Sequence, residues 1–190
     1  VSRGISVRAA VRVRDNFEIA GCEVVSIPCI SDDTDWSFAL RDVSTVIHLA
    51  ARVHVMRDDA ENPLKEFRRV NVEGTQRLAK EAAGSGVKRL VYVSSIKVSG
   101  EETRNNRRLT EFDTPSPQDP YGISKWEAEQ ALLVGAAETG LEVVILRPPL
   151  VYGPQVKGNF AQMVRVLRRG IPLPLASIGN LRSLIYLGNL

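Results

Sequence analysis

Lys88-Arg89-Leu90-Val91-Tyr92-Val93-Ser94-Ser95 is the stretch whose reading decides the fold. Leu90 to Val93 is a continuous apolar run, and it stops at two hydroxyls. A run of that kind reads as a buried strand of a parallel sheet. After a polar, proline-containing loop, Tyr121-Gly122-Ile123-Ser124-Lys125 opens a helical pattern that Gly140 closes. Positions four apart share a helix face, so Tyr121 and Lys125 can point into one pocket. A phenol with an ordinary pKa of about 10 is a poor base at neutral pH, and a nearby ammonium favours its phenolate. A strand-end hydroxyl with this tyrosine and lysine can therefore move a proton to or from an alcohol, Ser95 holding the reacting oxygen. An isolated YxxxK also fits a plain amphipathic surface helix, so its neighbours must decide.

Working outward, residues 5–12, Cys22 to Ile27 and Thr45 to Leu49 read as further strands, each short and bounded by polar segments. Asp35-Trp36 starts a short helix ending near Arg41. Pro63 suits the first turn of a longer helix, about residues 62–83, closed by Gly84-Ser85-Gly86. Strand 88–94, helix 121–138 and strand 141–147 follow. Alternating strands and helices with apolar strands predict a parallel sheet covered on both faces. Ligands of such sheets bind at the carboxyl ends of the strands. Ala50-Ala51, Ser94-Ser95 and Arg147-Pro148 fall there. Asn71 lies at the edge of the apolar stripe Phe67, Val70, Gly74, Leu78, Ala82, and a semi-buried amide needs partners. It either bonds a neighbouring loop or steadies the catalytic groups.

The 190 residues suffice for a domain with a substantial core, and 44% hydrophobic with 25% charged residues is ordinary globular composition. The net charge is +3. Its basic residues are scattered except for Arg104-Asn105-Asn106-Arg107-Arg108, a loop, and aromatics are only 6%, which argues against a nucleic-acid surface. Cys22 and Cys29 have neither metal nor disulfide-framework spacing and fit a reducing cytoplasm. His48 and His54 lack supporting ligands, so no metal is expected. No apolar run reaches membrane-span length, and no signal peptide opens the chain. Ile5 to Arg12 is a strand with no element before it, which reads as a fragment or as a gene product that lost its beginning.

Six motifs now stand in one order: His48-Leu49-Ala50-Ala51, Asn71-Val72-Glu73-Gly74-Thr75, Val93-Ser94-Ser95, Pro120-Tyr121-Gly122-Ile123-Ser124-Lys125, Leu146-Arg147-Pro148 and Val151-Tyr152-Gly153-Pro154. Together they resemble the extended short-chain dehydrogenase/reductase family in its NAD-dependent epimerase/dehydratase branch, and most of all bacterial nucleotide-sugar 4-epimerases of the UDP-glucose 4-epimerase type. The resemblance implies an α/β, Rossmann-like parallel sheet with helices on both faces. Here it lacks its first β-α unit and is followed by the start of a small substrate lobe. It places a truncated dinucleotide-binding domain at 1–150 and the beginning of a nucleotide-sugar lobe at 151–190. It makes Tyr121 the acid/base, has Lys125 lower its pKa and bind the nicotinamide ribose, and puts Ser95 on the sugar O4. Leu49, Ala50, Ala51, Asn71, Val93 and Pro148 would line the cofactor. Lys97, Asn159 and Arg182 would contact the substrate, the last two at its diphosphate, where arginine can bind in bidentate fashion. Relatives commonly dimerise through the helices that here span about 62–83 and 121–138.

The chain departs from the family pattern in several places. The glycine-rich turn that brings a pyrophosphate to a helix N-terminus is absent, so this polypeptide should bind dinucleotide poorly and be inactive as it stands. Arg12, with Arg14 close by, replaces the acidic residue expected at the adenosine ribose; an Arg there accommodates a 2′-phosphate, which allows NADP in place of NAD. Cys29 replaces an adenine-contacting Asp and leaves Ile30 beside the ring. Leu150 stands where many relatives carry an Asn facing the diphosphate. Ile96-Lys97 occupy the places of the Asp-Glu pair of sugar 4,6-dehydratases, which argues strongly against dehydration. The expectations are an NAD-dependent 4-epimerase working through a 4-keto sugar, with an NADPH-dependent 4-ketoreductase or a non-catalytic dinucleotide sensor as alternatives.

Overall fold

The computed structural model describes residues 4–12, 19–53, 62–103, 107–156, 158–172 and 179–190, the side chain of Asn159 excepted. Arg14, His54 and Arg104-Asn105-Asn106 lie outside the described residues. The chain divides into two compact units, Val1–Arg147 and Pro148–Leu190.

In the first unit, β1 (Arg8–Val11) and β2 (Glu23–Ser26) form one parallel pair. A second, three-stranded parallel ladder has the order β3-β4-β5, from β3 (Thr45–His48), β4 (Arg89–Val93) and β5 (Glu142–Leu146). Every pairing is parallel, as the apolar strands predict, but the strands do not join into one sheet. Among the described residues no strand pairs with the second edge of β1 or the outer edge of β3. Arg8 fastens the small pair to the rest. Its Nε donates to Glu23 (2.8 Å) and its Nη1 to the carbonyls of Ala39 (3.2 Å) and Arg41 (2.5 Å).

The helices explain where the core lies. The short α1 (Ser37–Leu40) buries Ala39 and Leu40. The expected long helix is three pieces: α2 (Pro63–Arg68), a π-turn (Arg69–Glu73) and α3 (Gly74–Gly84). Asn62 caps α2 by accepting from Lys65 N, and Pro63 occupies the first turn, where its missing N–H costs nothing. α4 (Pro120–Thr139) starts at Asp119, whose carboxylate accepts from Gly122 N at 2.6 Å, a cap worth about 1 kcal/mol. It ends at Gly140 in the left-handed region (φ 74°), where a Cβ would be strained. Leu78, Ala82, Leu90, Tyr92, Ala128 and Leu132 form a single core with Ala39 and Leu40. That core covers one face of the β3-β4-β5 ladder.

The second unit pairs β6 (Leu150–Tyr152) in parallel with β7 (Leu184–Tyr186) and carries α5 (Gly158–Arg168). Tyr152 packs against Phe160 and Tyr186, at centroid separations of 5.8 and 5.6 Å. No described helix is long and apolar enough to cross a membrane.

Candidate active site

The register aligns three strand ends. His48 of β3 pairs with Tyr92 of β4, and Val93 pairs with Leu146 of β5. Leu49-Ala50-Ala51, Ser94-Ser95 and Arg147 therefore leave the sheet side by side, and Ser94 N bonds Leu146 O at 2.7 Å. Ser95 is extended and begins a single 3-10 turn, its hydroxyl accepting from Lys97 N at 3.3 Å. α4 brings Tyr121 and Lys125 to the same place.

The inner face of α4 is unusual for a core helix, because Ser124, Lys125 and Glu129 are all buried. A buried charge is costly unless paired. Glu129 is satisfied by Arg147 from the end of β5, at 3.0 Å to Nε and 2.6 Å to Nη2. Lys125 Nζ donates to Val93 O at 2.8 Å and sits 4.0 Å above the centre of the Tyr92 ring, a cation–π contact. Burial nonetheless pulls the Lys125 ammonium down to about 7, with Glu129 opposing the shift.

Tyr121 is half-buried and meets the ring of Phe67 edge-on at 6.2 Å. Burial raises its pKa, because a phenolate is the form that loses solvation. Ser95, through a hydrogen bond, and the charge of Lys97 act in the opposite direction, while Asp119 adds to the rise. The Lys125 ammonium is turned to Val93 O and the Tyr92 ring, on the sheet side of α4.

Asn71 is almost wholly buried, and its amide is fully used. Its Oδ1 accepts from Arg52 N (2.7 Å), and its Nδ2 donates to Arg52 O (3.0 Å) and Ser124 Oγ (3.0 Å). Ser124 passes the bond on to Tyr121 O at 2.8 Å. Asn71 thus ties the loop after β3, with Ala50 and Ala51, to the first turns of α4; the bond to a neighbouring loop expected from sequence is present, and a further bond reaches Ser124 beside Tyr121. The π-turn makes this possible by widening the helix by one residue at that point. Close packing continues at Gly74, where a Cβ would meet Ile30 Cγ2 at 2.5 Å, so only glycine lets α3 lie against the segment after β2.

Three comparisons with known proteins fit this geometry. The NAD dependent epimerase/dehydratase family matches residues 5–190. The chain belongs to that family. A UDP-glucose 4-epimerase of Vibrio cholerae is 48% identical over 162 residues, 85% of this chain and 49% of the relative. An N-acetyl-alpha-D-glucosaminyl-diphospho-ditrans,octacis-undecaprenol 4-epimerase of Escherichia coli O157:H7 is 31% identical over 173 residues, 88% of this chain and 49% of the relative. Among solved structures, MoeE5 in complex with UDP-glucuronic acid and NAD has a TM-score of 0.77 at 30% identity, covering 99% of this chain and 62% of that one. The chain spans about half the length of the curated relatives it matches.

For this epimerase/dehydratase-family chain, the first unit brings together Ser95, Tyr121, Lys125, Val93, Ala51 and Asn71. Leu49 and Ala50 lie exposed at the same strand end. Arg12, exposed just after β1, and Ile30, packed under Gly74, belong to the β1-β2 side. Lys97 carries an ammonium already engaged by Glu101 (3.0 Å) and Asp119. Pro148 and Arg182 belong to the second unit, where Pro148 is half-buried and Arg182 exposed. Asn159 lies in α5. Sequence reasoning missed Glu129, Ser124 and Asp119. The spacing Lys125-Glu129 was the available signal for the first, and a polar residue before Pro120 the signal for the last.

Proposed function

We propose that this chain carries the proton-transfer half of a nucleotide-sugar 4-epimerase acting on UDP-glucose and UDP-galactose or their N-acetyl forms, through a 4-keto sugar. The observation that carries this reading is the convergence of Ser95, Tyr121 and Lys125 at the aligned ends of β3, β4 and β5. The likeness to the Vibrio cholerae enzyme supports the substrate class. The site suits a nicotinamide cofactor: Ala50 and Ala51 are small enough for a flat ring to approach closely, and Asn71 fixes their loop. NAD, when bound, accepts and returns a hydride at C4. Ser95 holds the O4 hydroxyl, Tyr121 takes its proton and later returns one, and Lys125 turns its ammonium to the ribose. Asn159 and Arg182 hold the diphosphate.

The described residues contain no glycine-rich turn between a strand and a helix N-terminus, so the 190-residue chain by itself holds NAD weakly and is inactive. Calorimetric titration with NAD should give no tight stoichiometric complex. Arg12, exposed beyond β1, favours a second reading, NADPH-dependent 4-ketoreduction, which consumes cofactor where epimerisation does not. We place the protein in the cytoplasm, consistent with its free cysteines, and in polysaccharide biosynthesis. Two copies would pair through α2-α3 and α4, where Leu133 and Val134 are exposed.

The test is a chimera in which this chain replaces the matched portion of the Vibrio cholerae relative. It should interconvert UDP-glucose and UDP-galactose without net cofactor turnover. Tyr121→Phe should lower its kcat by about 10²-fold or more, the contribution of a positioned acid/base. Undiminished turnover in that variant removes the assignment.

A further inference from the structure

The turn after Ser95 is bolted to the first turn of α4. Lys97 Nζ bridges Glu101 (3.0 Å) and Asp119. Asp119 meanwhile caps α4 at Gly122 N. At Gly122 a Cβ would lie 3.1 Å from Lys97 O and 3.1 Å from Asp119 Oδ1, so the turn and the helix pack tightly here and a side chain would have to push its neighbours aside by a few tenths of an ångström. Ser116 N closes the loop onto Val98 O at 3.0 Å. Ser95 and Tyr121 sit on the two sides of this joint, and a carboxylate, Asp119, lies two residues from the phenol.

An uncompensated carboxylate there would hold Tyr121 in its protonated form. Lys97 compensates it directly, being paired with Asp119 and partly open to solvent, where an ammonium keeps its charge.

We propose that Lys97 is a positioning residue for Tyr121: by bridging Asp119 and Glu101 it locks the Ser95 turn to the helix that carries the phenol and neutralises the carboxylate beside it. The proposal deepens the role given to Tyr121 above. It predicts that Lys97 acts on the protein's own tyrosine and not as a substrate contact. The groups around the phenol are Ser95, Lys97 and Asp119, with Phe67 edge-on from α2 and Tyr92 and Lys125 on the sheet side.

The experiment needs neither substrate nor cofactor, so its failure is separate from failure of the epimerase reading. The four tyrosines are replaced biosynthetically by 3,5-difluorotyrosine, whose more acidic ring titrates where the protein stays folded. The Tyr121 signal is assigned with Tyr121→Phe and followed by fluorine NMR against pH. Lys97→Met should raise the Tyr121 midpoint by about one pH unit, the effect of exposing a neighbouring like charge. Lys97→Arg should restore it. Asp119→Asn keeps the cap, since Asn caps as well as Asp, and should lower the midpoint. The double variant Lys97→Met with Asp119→Asn should return close to the starting value. An unmoved midpoint in Lys97→Met overturns the proposal. So does a shift that Asp119→Asn leaves in place in the double variant. If Lys97→Met does not fold, Asp119→Asn alone decides: a lowered midpoint supports the proposal and an unmoved one ends it.

Discussion

The two faces of the β3-β4-β5 ladder are built from the same kind of sequence and have different fates. On one face Val46, His48, Leu90 and Tyr92 lie under α3 and α4, and Leu90 and Tyr92 are completely buried. On the other, Ile47 of β3 is 62% exposed and Leu146 of β5 is 37% exposed. Strand composition does not distinguish these faces, because each carries apolar residues from β3 and β4, Val46 and Leu90 on one and Ile47 and Val91 on the other. What differs is the cover, and cover is supplied by helices encoded elsewhere. The buried face can hold titratable groups such as His48 and Lys125 only because it also supplies Thr75, Val93 and Tyr92 as partners.

The largest effect that tests this contrast is Leu90→Ala. The residue has no solvent exposure, so truncation should cost about 2–5 kcal/mol in denaturant unfolding. A loss under 1 kcal/mol would mean that the core on that face is loosely packed.

The second test is pH. Burial pulls His48 down to about 4, the charge of Lys125 helping, and its Nε2 lies 3.0 Å from Thr75 Oγ1. The folded state therefore keeps this ring neutral while the unfolded chain protonates below about 6.5. Stability should fall as pH drops from 6.5 to 4, by on the order of 3 kcal/mol in total from this group. His48→Gln should flatten that slope. Lys125 acts in the same sense at higher pH, its depressed value making stability rise from about 7 toward 10.5. Chemical denaturation at a series of pH values reads both windows.

The smallest effect belongs to the other face. Ile47→Ser should change stability by within about 0.5 kcal/mol, since little surface is uncovered by it. A loss as large as that of Leu90→Ala would show that both faces are packed alike.

Much of this architecture is legible in sequence where the signal is local. The β4 run, the Pro63 and Gly140 boundaries and the facing of Tyr121 and Lys125 all follow from rules that span a few residues. The site was less legible wherever a side chain chose between distant partners. Nothing near Lys125 says that its ammonium will turn to Val93 O and the Tyr92 ring, which needs β4 and α4 already docked. The π-turn was hidden for the same reason. Residues 62–83 have a continuous helical pattern, and the extra residue is stabilised by Asn71 bonding Arg52 and Ser124, which lie 19 and 53 positions away. The separation of β1-β2 from the larger ladder likewise has no local mark, because pairing is decided by which edges meet.

Chain length itself is constrained at Arg69–Glu73. A π-turn accommodates one residue more than the α-helix that would replace it, so deleting one residue would leave a regular helix with nothing lost locally. Were the same residues wound as regular α-helix instead, the extra residue would add about 100° of turn, and α2 would rotate by that amount about the common axis. Phe67 would swing off the Tyr121 ring, and Arg68 would leave Glu127 of α4, which it grips at 2.8 and 2.5 Å. A regular helix of unchanged length would thereby dismantle the wall of the site, and the irregular turn is what keeps Phe67 and Arg68 facing α4.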